Sequence, residues 1–600
     1  MKFLGDIDSK NLILLDVKYN KVKTDEGFYT DYAMILLKNV ATGEKFVYNI
    51  REPEMDIWFA KEEYRDYDWN EMALEREKLF AKRVKYRNVL REIVKEDHTG
   101  EWKDYLERCK ETRNFRAMKN VFHMPYSFGA DLDICDYYRC MWKLFYHNPD
   151  LQVKLTKCYL DIETDGIDMI GVPLDGACPI NAISLTDGET LTCYEFLLRN
   201  SVKENPLIEE FEKTLETEFP KKFKETFSDE AFKGFKYQIM MFDDEVEMLK
   251  AFFKKFKELD RDFCGIWNAG YDIPYIIARM GVLGMDPNEY FCDDDFAVKE
   301  IRYWHDERNG EIVNKKDFIM CNSRTIFTDC MLNYGKIRKG GKKIHSLRLN
   351  NVAKDEVGDT KIDYSDEANI KTLPYINYIL FVLYSMKDTM LMHRIESLTE
   401  DIDNVFSRAT TNGTAYKAIF SQTKYLKNRY YIECWLDGFI SGNNANMDYS
   451  AVYGKDEDKE KFDGAVVGDP KLNRHTGVEL FGKKSKYVFR YVVDMDFSSM
   501  YPWTIISFNI SPKTMIGKLI VDEDHYKGNA NKAEEEDIEL KFEAGKQFVE
   551  DILSQDYTKV GRNWFGLPSV KDMLNELEEE YGKPVPVKHN SGDMCISLKR

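Results

Sequence analysis

A chain of 600 residues, 43% hydrophobic and 32% charged, holds enough apolar material for several cores, about three to five domains at roughly 100 to 200 residues each. Its net charge of -19 excludes a uniformly basic nucleic-acid sheath, so any contact with a polyanion has to come from local patches. Twelve cysteines without a C-x-x-C pair, the nearest approach being Cys135 and Cys140, exclude paired zinc knuckles and read as reduced, buried thiols.

In chain order, the first 60 residues carry short apolar stretches, NLILLDV and YAMILLKNV, bounded by Gly and Asp turn signals, and predict a small sheet. From Ala60 to about Asp97 the spacing of Leu79, Phe80, Val84, Val89 and Leu90 among charged residues predicts one or two long solvated helices. LTKCYLDIE, from Leu155 to Glu163, reads as a buried strand that ends in acid. Strand-like and helical stretches then alternate, INAISLT, LTCYEFLL, VEMLKAFFKKF and FCGIWNA among them, which predicts an α/β domain running to about residue 400. The basic run GKIRKGGKKIHSLR, Gly335 to Arg348, has six Lys or Arg and no acid, and reads either as a solvated hairpin tip or as a phosphate contact. Asp401 to about Trp435 is helical in pattern, and the charged loop YGKDEDKEKFD follows. The apolar run YVFRYVV then ends in DMDFSSMYPW at 494 to 503, a strand that finishes on carboxylates. No stretch has the length of a membrane span: the best apolar run, YILFVLYSM at 378 to 386, is too short, and MKFLGDIDSKNL meets acid after four residues, so a cytoplasmic protein without a membrane partner is expected.

The chemistry concentrates in dispersed acids. Asp161 and Glu163 are two apart in YLDIETDG, so on a strand both side chains face one way and can share a divalent ion. Alone the pair says little, because the same spacing recurs at Asp6, Asp131, Asp401 and Asp537. Its company says more. FCGIWNAGYDIPYIIARM gives a strand, then Asn268, then Asp272 opening a helix, where Asp272 reads either as a cap or as a ligand. YINYILFVLYSMKDTMLMHRIESL is a strongly apolar helix interrupted by Lys387 and Asp388, and Tyr384 lies one turn before Asp388 on the same side. An acid amid so much apolar surface is costly unless paired or ligating a metal. Several convergent carboxylates are what a pair of Mg²⁺ or Mn²⁺ ions, roughly 3.5 to 4 Å apart, requires for phosphodiester hydrolysis.

The ordered set DIE, N-x-x-Y-D and Y-x-x-x-D resembles the 3′-to-5′ proofreading exonuclease of the DEDDy class found in family B DNA polymerases, T-even-type phage replicative enzymes in particular. The resemblance implies an RNase H-like exonuclease domain, a mixed sheet flanked by helices, within an α/β and α+β multidomain chain. It further implies two Mg²⁺ (or Mn²⁺) ions held by Asp161, Glu163, Asp272 and Asp388, a water positioned by Tyr384, and a substrate strand contacted by Asn268. The spacing after Asn268 is one residue shorter than those phage enzymes commonly show.

DFSSMYP at 496 to 502 resembles the first polymerase motif of the same family, and FNISPKT at 508 to 514 extends the likeness. It implies that Asp496 ligates the two ions of a nucleotidyl-transfer site. Ser499, with backbone N–H groups around Met500, would hold the incoming dNTP, and Tyr501 would pack under its sugar. FDGAVV at 462 to 467 resembles the motif that grips single-stranded primer, with Phe462 where Tyr is usual and Gly464 at the turn. The likeness covers most of Leu155 to Thr514 and then stops: the fingers motif K-x-x-x-N-S-x-Y-G and the D-T-D-S hairpin with the second palm carboxylate are absent, and KHNSGD and VGDTKIDY read as accidental matches. The expected layout is an N-terminal domain at 1–150, the exonuclease at 151–400, a helical return and linker at 401–460, and a partial palm with the start of fingers at 461–600. DNA primer-template and dNTP are the expected partners. A second chain carrying the remaining palm, fingers and thumb would complete the polymerase, which in a viral setting acts in the host cytoplasm. A truncated product, a stand-alone exonuclease with a vestigial palm, and a non-catalytic primer-template binding subunit are the alternatives.

Overall fold

The structure is a computed structural model that describes most of residues 5–442 and, beyond them, only short pieces at 479–480, 483–484, 517–521, 540–544, 578–579, 582 and 587–589. By internal contacts the chain divides into two compact units, Met1–Asp456 and Glu457–Arg600. Among the described residues no helix is long and apolar enough to cross a membrane.

The first unit opens with an antiparallel sheet, β1 (Leu12–Lys23), β2 (Tyr29–Asn39) and β3 (Lys45–Arg51), as the apolar stretches predict. β4 (Glu54–Ala60) follows. The segment expected to be a long helix is different. It gives β5 (Ala73–Glu75), β6 (Leu79–Lys85) and only a short helix, α1 (Val89–Lys95). The cause is tertiary: β4 buries Met55, Ile57 and Phe59, and its open backbone groups need partners, which β6 supplies antiparallel from Ala60↔Leu79 to Glu54↔Lys85. α2 (Glu101–Glu111), β7 (Ser127–Phe128, on the other side of β4) and α3 (Ile134–Phe145) complete this part.

A six-stranded mixed sheet comes next. β8 (Lys157–Thr164), β9 (Ile180–Asp187) and β10 (Thr192–Leu198) form an antiparallel run. After α4 (Pro206–Thr214) and α5 (Phe219–Thr226), β11 (Lys236–Phe242) adds parallel to β10. On the other side β12 (Phe263–Ile266) lies parallel to β8, and β15 (Ile326–Asp329) parallel to β12, giving the order β11-β10-β9-β8-β12-β15. Two helices, α6 (Glu245–Leu259) and α7 (Ala269–Val282), close one face over Leu160, Ile162, Ile183 and Phe196. α8 (Pro287–Phe291) leads to a hairpin of β13 (Ile301–Trp304) and β14 (Phe318–Cys321) that stands outside the main sheet.

Past β15 come α9 (Cys330–Arg338), α10 (Leu349–Val357), α11 (Leu373–Ile376) and α12 (Tyr378–Thr399). α12 is apolar almost all round and covers the second face of the sheet, where Met386, Met390 and Leu391 share a core with Tyr159, Cys193 and Leu197. The same core takes in Ile13, Leu15, Met34 and Leu36 of the first sheet, so the sheets share their apolar surfaces. α13 (Asp401–Asn412) and α14 (Gln422–Leu436) match the helical pattern, and β16 (Phe439–Ser441) pairs with β5, so the chain returns to the N-terminal core, where Trp435 meets Trp58 edge to face.

Candidate active site

The period of two along β8 sorts its side chains. Cys158, Leu160 and Ile162 enter the core under α6 and α7, whereas Tyr159 faces the α12 side and Asp161 and Glu163 continue its row. Asp161 is opposite Ser184 and Glu163 opposite Ala182, and the register slips at Glu163/Thr164, where the strand ends. α12 supplies the facing groups. Asn377 starts it by accepting the Leu380 N–H at 3.1 Å, and Tyr384 and Asp388 then fall one turn apart with side chains 6% and 2% exposed.

These elements bring Asp161, Glu163 and Asp388 together, with a carboxylate oxygen from each lying within 4.8 Å of the others. Asp272, 3% exposed on the first turn of α7, stands outside that group of three but close enough for its charge to act on Glu163 and for the Asp161 charge to act on it. Asn268 is exposed and left-handed (φ 67°, ψ 51°), a conformation that asparagine tolerates, and turns the chain from β12 into α7. The basic run contributes the end of α9 as far as Arg338, and 339–345 lie outside the described residues. So do Phe462, Gly464, Asp496, Ser499, Met500 and Tyr501.

Lys361 was not anticipated. Its ammonium donates to the Tyr384 hydroxyl at 3.0 Å and to Asp388 Oδ2, and it lies over the Tyr384 ring. In sequence it sits in VGDTKIDY, where nothing but a lone cation among polar residues points to it. Burial opposes its charge, but Asp388, Tyr384 and Asp161 hold it protonated above the usual lysine range.

The electrostatics are those of a cation site. Burial, with Asp388 next, pushes Asp161 well above the carboxylate range, and the same two causes raise Glu163 to about 8. Burial and the charge of Asp161 raise Asp272, and burial raises Asp388 against the pull of Lys361. Asp388 Oδ1 is buried without a hydrogen-bond partner. Crowded carboxylates that resist ionising together, one with a stranded oxygen, fit divalent cations as their counter-charge.

Part of this site, with Asp161, Glu163 and Asp272, lies in a stretch that matches a known domain. Residues 119–336 match the DNA polymerase family B exonuclease domain. The domain's named relatives are polymerases. The DNA-directed DNA polymerase of Escherichia phage RB69 is 24% identical over 417 residues, 68% of this chain and 41% of the relative. That of Enterobacteria phage T4 is 24% identical over 294 residues, 48% of this chain and 28% of the relative. The DNA polymerase delta catalytic subunit of Plasmodium falciparum (isolate K1 / Thailand) is 22% identical over 285 residues, 46% of this chain and 24% of the relative. The chain thus spans less than half the length of each of these relatives. The matched residues include β8 and α7 with its Asp272, and they end before α12.

Proposed function

We propose that the chain removes nucleotides one at a time from the 3′ end of DNA by metal-assisted hydrolysis, as the proofreading part of a family B polymerase. The observation that carries this reading is the meeting of Asp161, Glu163 and Asp388 within 4.8 Å, with Tyr384 one turn from Asp388. Asp161, Glu163, Asp388 and Asp272 would hold two Mg²⁺ or Mn²⁺ ions. When bound, such ions activate a water for attack and neutralise charge at the departing 3′ oxygen. The remaining work falls to the chain. Tyr384, whose phenol is held in its protonated form by burial and by Asp388, orients the attacking water. Lys361 keeps that phenol in place through its 3.0 Å hydrogen bond and adds positive charge where the phosphodiester develops negative charge. Asn268, exposed at the mouth of α7, contacts the substrate strand.

The subdivision into an N-terminal domain (1–150), exonuclease (151–400), return (401–460) and partial palm (461–600) is part of this proposal. In it Asp496, Ser499, Met500 and Tyr501 form one half of a nucleotidyl-transfer site for dNTP, Phe462 and Gly464 guide the primer between the two sites, and a second chain brings the other palm carboxylate with fingers and thumb. A purely binding role is disfavoured by the site itself, since acids clustered beside a polyanion weaken binding unless cations sit between them.

The test uses the full chain, Mg²⁺ and a labelled primer with a mismatched 3′ end. Release of nucleoside 5′-monophosphates from that end is expected, with extension only after the second chain is added. Hydrolysis that survives substitution of Asp161 and Glu163 by Ala would show that the site lies elsewhere.

A further inference from the structure

We propose that Asp329 is a positioning residue of the hydrolytic site: from the end of β15 its carboxylate caps the first turn of α7 and so fixes where Asp272 and Asn268 stand. The proposal rests on the reading of Asp272 and Asn268 given above.

The placement follows from the sheet. β15 runs parallel to β12 with Ile266 and Asp329 in register, so the chain leaves β12 through Trp267 and Asn268 right beside the Asp329 carboxylate. The first amides of a helix have no partner inside it and need an acceptor from elsewhere. α7 lacks the usual one: Asn268 stands at its N-cap in the left-handed region, and its side chain makes no capping bond. Asp329 is placed to take that role. One of its oxygens accepts the Leu332 N–H at 2.9 Å and so opens α9, the helix that follows β15 directly. Burial lifts its pKa to about 6, while the amides of Leu332, Ala269 and Met331 act in the opposite direction, and Ala269 is the first residue of α7. The Asp329 carboxylate therefore opens α9 while its strand position sets it beside the start of α7. Asp329 also adds to the charge felt by Asp272, which puts the two acids within electrostatic reach.

A second contact holds the same turn from the hairpin. A Cβ on Gly270 would lie 2.8 Å from the Tyr303 hydroxyl, so the β13–β14 hairpin presses directly on the α7 backbone, and Tyr303 donates to Asp317 at 3.0 Å. The turn bearing Asn268 and Asp272 thus has both Asp329 and Tyr303 against it. Neither group touches the three gathered carboxylates, so their effect on hydrolysis has to pass through α7.

The experiment compares the full-length wild type with Asp329→Ala, Asp329→Asn and Asp161→Ala. It measures Mn²⁺ affinity by calorimetry and binding of single-stranded DNA under Ca²⁺ alongside hydrolysis. Freeing α7 in Asp329→Ala is expected to weaken Mn²⁺ binding about 10-fold, the cost commonly seen when a group supporting a metal ligand is lost, and to weaken DNA binding with it. Asp329→Asn, whose amide oxygen still accepts the helix amides, restores most of both. Asp329→Ser keeps a shorter acceptor, falls between the two, and carries the comparison if the Ala protein does not fold. Wild-type Mn²⁺ and DNA affinities in Asp329→Ala, with Asp161→Ala defective, overturn the capping role alone. An equal loss in Asn and Ala also overturns it, because charge rather than capping is then what matters. Undiminished metal binding and hydrolysis in Asp161→Ala would instead remove the site assignment, and this proposal with it.

Discussion

The raised pKa values make stability depend on pH in a direction opposite to that of most carboxylates, and they move the pH dependence of metal binding to higher pH. In the metal-free protein Glu163 sits at about 8 against an ordinary 4.5, because burial and the Asp388 charge disfavour its ionised form. Between those two values the folded protein carries a proton that the unfolded chain has shed. Glu163 therefore contributes its full stability below the unfolded pKa and loses it as pH rises through the folded one. The slope is about 1.4 kcal/mol per pH unit, so the loss across the window reaches about 5 kcal/mol. A divalent ion has to displace the same proton, so its affinity rises about 10-fold per pH unit up to the folded pKa and then levels off. The assay is calorimetric titration of the full chain with Mn²⁺ from about pH 6 to about pH 9, in buffers of different ionisation enthalpy that report the protons released. A thermal melt in chelator should fall over the same range and recover when Mg²⁺ is added. Glu163→Gln should reduce the proton release by one. An Mn²⁺ affinity independent of pH below 8, with no protons released, would refute the claim that these carboxylates are crowded and protonated without metal.

Other substitutions test individual contacts. Tyr384→Phe removes the hydroxyl held by Lys361 and should lower the rate of single-strand hydrolysis by about 100-fold, with single-strand DNA affinity unchanged in a filter-binding assay. Lys361→Met should lower the same rate about 10-fold or more while leaving the fold intact by circular dichroism. Arg279 makes hydrogen bonds of 2.6 to 3.1 Å with both oxygens of Glu245, and the two side chains are 10% and 7% exposed. Arg279→Ala strands that acid and should cost about 3 to 5 kcal/mol, read as a lower melting temperature. Gly176 has φ +73°, and a Cβ there would lie 2.5 Å from the Arg279 amide, so Gly176→Ala should destabilise the α7 face by about 2 kcal/mol or more in the same melt.

The parts of the fold that could be read from sequence are those where apolar period and punctuation agree. β8, β9 and β10 announce themselves as short β-rich runs between turn residues, and α12 as an apolar stretch too long for a strand. The paired acids of YLDIE and the Tyr384–Asp388 turn could be read because fixed periods of two and of four put side chains on one face. What could not be read depends on partners distant in sequence. β6 carries charged residues at helical-looking intervals and becomes a strand only because β4 offers it a ladder. Lys361 reaches Asp388 from a loop 27 residues away, with no periodicity to mark it. The capping position of Asp329 arises from strand order, since β15 is brought beside β12 only once the sheet is assembled. Asp272 shows a third limit: sequence places it at a helix start, but not at what remove from the other three acids.

The central claim is that Asp161, Glu163 and Asp388 form one cation-binding centre. Anomalous scattering from crystals of the full chain soaked in Mn²⁺ tests it most directly. The account predicts manganese density between those three side chains, with Lys361 displaced from Asp388 or left beside it, and loss of that density in Asp161→Ala. Crystals that take up manganese only at other positions would contradict it.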